Sequence, residues 1–115
     1  MDIGYPNEYD KGKGYTGNYI MIHGGDRSNG CFAMSDQGIE EIYVMVEAAF
    51  RNGVRQIDFH SFPFPLTVDN LNVFPDSPWR EFWLVLKKGY DSFERSHIPP
   101  TVEVRNLEYY ISDYY

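Results

Sequence analysis

The 115-residue chain predicts an α+β fold in which two main helices stand among short strands. Three observations carry that prediction. Ile39, Ile42, Tyr43, Val46, Ala49 and Phe50 recur at helical spacing. Ser77-Pro78 opens a second helical pattern, with Pro78 suited to a first helical position. Between and after these, runs of alternating apolar residues are closed off by glycine and proline, as strands are. A hydrophobic fraction of 43%, with 17% aromatic residues, supplies enough apolar surface for a packed core. The length suits one domain, residues 1–115.

Each element has its own warrant. Residues 1–17 hold Gly4, Pro6, Gly12, Gly14 and Gly17 and predict a loop. Asn18–His23 alternates and predicts a short strand ending at the histidine. A glycine-rich turn, Gly24–Met34, follows. Ser35 or Asp36 is placed to cap a helix over Asp36–Asn52, and Gly53 sits where a left-handed C-terminal cap belongs. Glu40 and Glu41 lie early and Arg51 late, the order that the helix dipole favours. Val54–Phe62 alternates and predicts a strand stopped by Pro63 and Pro65. The second helix runs from Ser77 to Gly89, its stripe formed by Phe82, Val85 and Leu86, and a shorter piece is expected over Asp91–Ser96. Pro99-Pro100 then breaks the chain ahead of two strands, Val102–Val104 and Tyr109–Ile111, that can pair as a hairpin.

Charge excludes one class of partner. The formal net charge is −7, and no Lys/Arg cluster exists to follow a phosphate backbone, so nucleic acid is not an expected partner. No apolar run reaches the roughly 18–20 residues of a membrane span, and the start MDIGYPNEYD has no signal-peptide pattern. The single cysteine forms no internal disulfide, and no Cys/His pairs fall at zinc-finger spacing.

The stretch IMIHGGDRSNGCFAM concentrates the chemistry. Cysteine attacks as the thiolate, so a catalytic one needs a base or a field that lowers its pKa. His23 ends a strand and Cys31 follows a tight turn that can return the thiol to the imidazole. Cys31 also precedes a predicted helix N-terminus, a small favourable influence of about 0.3–1 kcal/mol. Gly24, Gly25 and Gly30 permit positive φ and close backbone approach. Such a turn can aim the N–H groups of Asn29, Gly30 and Cys31 at one point, as an oxyanion hole requires. The Gly24 carbonyl can accept from the second nitrogen of His23 and fix its tautomer. The competing reading is an ordinary buried thiol beside a loop, because free cysteine is often buried and inert. Residue chemistry leaves both open.

His23-Gly24 followed by Ser28-Asn29-Gly30-Cys31 resembles the signature of the YkuD-type L,D-transpeptidase catalytic domain. The runs IGYPNEYD, YIMIHG, SNGCFAMSDQGIEEIY, FPFP, FWLVLKKGYDSFE and PPTVEV resemble its YafK-like branch across nearly the whole chain. The resemblance implies a mixed or antiparallel β-sheet catalytic domain acting on peptidoglycan stem peptides. It makes Cys31 the nucleophile and His23 its base, with Gly24 giving the orienting carbonyl and Gly30 and Cys31 the oxyanion N–H groups. In that chemistry a thioester forms at a diaminopimelate carbonyl and passes to an amine or to water. The spacer between histidine and cysteine is short, Asn29 replaces a second histidine, and Phe32-Ala33-Met34 follows the cysteine. These features mark the branch and leave transfer and hydrolysis both open. Family domains carry strands ahead of the IGYPN point, so the resemblance implies a C-terminal portion lacking those strands.

Asp26 and Arg27, with Ser28 and Asn29, are the candidates for contacting a charged stem peptide, and Ser28 is expected to hydrogen-bond within its turn. Tyr15 and Tyr19 are candidates for walling the site or for the core. His60 is expected to be a satisfied surface or core histidine and His97 a solvated one. No cofactor or metal is implied, although a weaker alternative joins His23, Asp26, Cys31 and His60 around a metal. The implied partners are stem peptides, with a murein-linked lipoprotein as a further acceptor, and the implied place is the periplasm or cell envelope. Exposed sheet edges would allow self-association. A module that binds without turnover is the other functional alternative.

Overall fold

The computed structural model describes residues 1–113. Its elements are four helices and two short two-stranded ladders, so the α+β class stands. The backbone gathers into two compact units, Met1–Phe59 and a second beginning at His60.

In the first unit, the segment expected to be all loop contains a helix, α1 (Glu8–Gly12). Asn7 caps it: its side chain accepts from the Asp10 amide at 2.9 Å, and the Asp10 carboxylate accepts from the Asn7 amide at 3.0 Å. That reciprocal capping box satisfies two otherwise unpaired donors, and Tyr9 is buried beneath it. The predicted strand Asn18–His23 shrinks to β1 (Ile22–His23). Tyr19 adopts φ 56°, which breaks the extended run, and Met21 makes only an isolated antiparallel bridge to Asp2. β1 pairs in parallel with β2 (Phe32–Ala33), Ile22 opposite Phe32 and His23 opposite Ala33.

Helix α2 (Asp36–Arg51) forms where the periodicity places it. Ser35 is the cap, accepting from the Gly38 amide at 3.1 Å, and Gly53 takes the left-handed conformation (φ 95°). Val54–Phe62 does not form a strand. Alternation marks a chain that can join a sheet, but a strand exists only with a ladder partner, and no described segment supplies one. Phe59 instead rests edge-on against Phe32, with ring centroids 5.0 Å apart.

The second unit adds a helix that the pattern did not announce, α3 (Val68–Asn72), capped by Thr67 through the Asn70 amide at 3.2 Å. Leu66 and Leu71 are its buried anchors. Ser77 and Pro78 form a turn ahead of α4 (Arg80–Ser96), so the helix starts two residues later than the pattern suggests. Helix α4 passes straight through Gly89 and absorbs the expected Asp91–Ser96 piece. Gly89 is buried and faces Ile111 and Pro100, so it marks a close approach rather than a stop. The helix ends instead at His97, left-handed at φ 57°, whose ring packs against Phe93. The hairpin is present as β3 (Thr101–Arg105) and β4 (Glu108–Ser112), turned by Asn106 and Leu107, both at positive φ. Phe82 of α4 stacks on Tyr109, and Phe64, Phe74 and Trp83 pack on one another.

Candidate active site

The site lies in the first unit, where β1, β2 and the start of α2 meet. The His23 ring is half-buried, and its Nδ1 lies 2.5 Å from the Gly24 carbonyl. A carbonyl can only accept, so Nδ1 carries a proton, and in the neutral ring Nε2 then keeps the lone pair.

Cys31 immediately precedes β2 and is half-buried. The parallel register sets Ile22 against Phe32 and His23 against Ala33, and Cys31 lies in the bend one residue ahead of that ladder. The thiol donates a long, weak hydrogen bond to the Tyr19 carbonyl at 3.6 Å. Among the described residues no hydrogen bond joins the thiol to the imidazole.

The turn between them has the form its sequence suggests, with one correction. Gly25 (φ 77°) and Gly30 (φ 87°) are left-handed, as is free only for glycine. Gly24 is not. Its requirement is space: a Cβ there would fall 2.8 Å from Asp36 Oδ1 and 3.1 Å from Ile39 Cγ2. Ser28 Oγ donates to the Cys31 carbonyl at 2.7 Å and closes the turn. The amides of Asn29, Gly30 and Cys31 have no acceptor among the described residues. Asp26, Arg27 and Asn29 are exposed at the loop tip.

Three tethers hold the histidine arm to the start of α2. The Met34 amide donates to the His23 carbonyl at 2.9 Å, and the Ser35 amide donates to the Gly25 carbonyl at 2.8 Å. The Gly25 amide donates to Asp36 Oδ1 at 3.0 Å. The sequence reading saw Asp36 only as a possible cap. Its bond to Gly25 crosses eleven residues and leaves no signature in local spacing.

The remaining candidates fall outside this cluster. Tyr15 and Tyr19 are exposed and belong to no core. His60 is exposed and meets Phe62 edge-on. No three His, Cys, Asp or Glu side chains gather to hold a metal among the described residues. No described helix is long and apolar enough to cross a membrane. An open cavity of about 330 Å³ in the second unit, lined by Lys88, Asp91, Arg95, Ile111, Ser112 and Asp113, contains none of the candidate residues.

The first unit thus carries a histidine held by a backbone carbonyl, a cysteine just ahead of the adjoining strand and a left-handed glycine before it. Residues 2–55 match the family model of the L,D-transpeptidase catalytic domain (YkuD). It is similar to the proteins called "Putative L,D-transpeptidase YafK" in Escherichia coli strains K12 and O157:H7, at 44% identity over 112 residues in each case. Those matches cover 97% of this chain and 46% of each relative, so the chain spans about half the length of the curated relatives it matches.

Proposed function

We propose that residues 1–115 are a portion of a peptidoglycan L,D-transpeptidase-type catalytic domain that forms a thioester at Cys31 with diaminopimelate-containing stem peptides. The observation that carries this reading is the His23 Nδ1 contact with the Gly24 carbonyl, which leaves Nε2 to accept a proton, with Cys31 in the bend just ahead of the strand paired with β1. In the proposed reaction the thiol turns from the Tyr19 carbonyl toward the imidazole. Nε2 takes the Sγ proton, and the thiolate adds to the stem-peptide carbonyl. The oxyanion is held by the free N–H groups of Gly30 and Cys31, a contribution of about 3 kcal/mol per donor in comparable sites. Collapse breaks the C–N bond, and the leaving amine takes the proton back from His23. An acceptor amine or water then attacks the thioester, loses its proton to His23 and restores the thiol.

Asp26, Arg27, Ser28 and Asn29 are proposed to contact the substrate. Asp26 and Arg27 present opposite charges at the exposed tip, suited to the zwitterionic end of a diaminopimelate side chain. Hydrolysis of murein cross-links or of murein-lipoprotein links is the second reading of the same thioester. Every residue from Gly25 to Gly30 is exposed, which keeps water among the acceptors. Either reading places the reaction in the cell envelope, where the polymer lies.

Mass spectrometry of the purified chain incubated with a stem peptide tests the proposal. The expected product is an adduct on Cys31 of the mass of the acyl half, with release of the D-residue. A chain that forms no adduct, and whose thiol alkylates no faster than an ordinary cysteine, would be a non-catalytic binding module.

A further inference from the structure

Resting on that reading of His23 and Cys31, we propose that Asp36 is a positioning residue for the catalytic histidine and acts through the Gly24–Gly25 peptide unit. The Gly24 carbonyl and the Gly25 N–H belong to one planar trans peptide, so they point in opposite directions and cannot turn independently. Asp36 Oδ1 accepts from the N–H end at 3.0 Å, while the carbonyl end meets His23 Nδ1 at 2.5 Å. Holding the N–H toward the helix thus aims the carbonyl at the imidazole. Carboxylate, peptide and ring form one hydrogen-bonded chain, and such chains polarise along their length. The carboxylate that orients histidine directly in other nucleophile–histidine–acid sites acts here with a peptide bond between them.

Two further observations fit this role. The carboxylate sits over Gly24 so closely that a Cβ there would be 2.8 Å from Oδ1, so the glycine is what admits it. Asp36 is also not needed as the cap of α2, because Ser35 Oγ serves the Gly38 amide. The carboxylate is therefore free to bind Gly25.

The test is imidazole ¹H–¹⁵N NMR of the neutral His23 ring in the wild type, Asp36→Ala and Asp36→Asn, alongside the pH profile of Cys31 alkylation. The wild type should show the proton on Nδ1. Asp36→Ala removes the acceptor, so the ring should shift toward the Nε2–H form common to free imidazole side chains. Alkylation at pH 7 should then fall by up to several-fold, toward the rate of a chain in which His23 no longer serves the thiol. Asp36→Asn keeps an oxygen in place and should retain the Nδ1–H form; it decides the matter alone if the alanine variant fails to fold. A folded Asp36→Ala chain with unchanged tautomer and alkylation profile overturns the proposal, as does equal loss of the Nδ1–H form in both variants. Failure of the wild type to form a stem-peptide adduct sinks the proposed function instead, and the tautomer readout stands apart from it.

Discussion

The half-buried Cys31 thiol, hydrogen-bonded to the Tyr19 carbonyl, and the His23 imidazole are the two groups to which the proposed chemistry gives the attack and the proton transfer. If the thiol is the nucleophile, Cys31→Ala should abolish covalent labelling and processing of muropeptides. Its thermal midpoint should stay close to that of the wild type, because the side chain is only half-buried and its loss costs about 1 kcal/mol or less. Residual processing by the alanine variant would remove Cys31 from the mechanism. His23→Gln should act through pH. An ordinary cysteine titrates near 8.5, so only a few per cent is thiolate at neutrality. With the base in place, alkylation at pH 7 should run several-fold faster in the wild type than in the glutamine variant. The two profiles should converge above about pH 9, where the thiol ionises unaided. Superimposable profiles would show that His23 does not activate Cys31. The form of the turn was legible in part, because Gly25 and Gly30 are local signals whose left-handed backbone follows from residue type, whereas Gly24 answers to a close approach of Asp36 instead. Asp36 was not legible, since an aspartate at a helix start already has a sufficient explanation there.

At the scale of elements, the sequence spoke clearly where an element supports itself and poorly where it needs a partner. Helix α2 carries its own cap, its own periodicity and its own left-handed glycine, and all three were readable. The hairpin was readable for the same reason, since both of its strands lie within a dozen residues. Val54–Phe62 has equally good alternation and no ladder partner among the described residues. Helices α1 and α3 are five residues each, too short to show a period, although Asn7-x-x-Asp10 and Thr67-x-x-Asn70 are the cap signals that mark them. Gly89 was misread because glycine suits both a helix stop and a close approach. Its real setting makes a prediction. A Cβ on Gly89 would lie 3.6 Å from Ile111 and Pro100, an ordinary contact, and its φ is not left-handed. Gly89→Ala should therefore stabilise the second unit by roughly 0.5–1 kcal/mol through the lower backbone entropy of the unfolded chain. Chemical denaturation followed by circular dichroism measures it, and a destabilised variant would mean that α4 and β4 pack more tightly than the contact distances imply.

For the whole molecule, the balance of buried and exposed apolar surface governs behaviour in solution. Among the described residues Tyr9, Leu66 and Leu71 are the large apolar side chains that are buried, with Pro100 the one smaller addition. Helix α2 has no buried residue at all, and it leaves Tyr43 (56%), Val44 (64%) and Met45 (65%) exposed on consecutive positions. Fully burying one large apolar side chain stabilises by about 1.5–3 kcal/mol, so three such residues are a slender core against the ordering entropy of a chain this long. The ladders add a second pressure: each has two strands and no third strand among the described residues, although Met1 bonds the outer side of β1 at Ile22. Unpaired edges and exposed apolar faces both recruit other chains. The isolated chain should therefore self-associate, with a sedimentation coefficient that rises with concentration and a thermal midpoint that rises with it, because association stabilises the folded form by mass action. Its turnover of muropeptides should be low, since marginal packing lets the histidine arm and the cysteine turn depart from the geometry that attack requires. Replacing Tyr43, Val44 and Met45 with serine should lower the association without touching the site. A monodisperse monomer at all concentrations, with a cooperative unfolding transition independent of concentration, would refute this picture and show that the few buried side chains suffice.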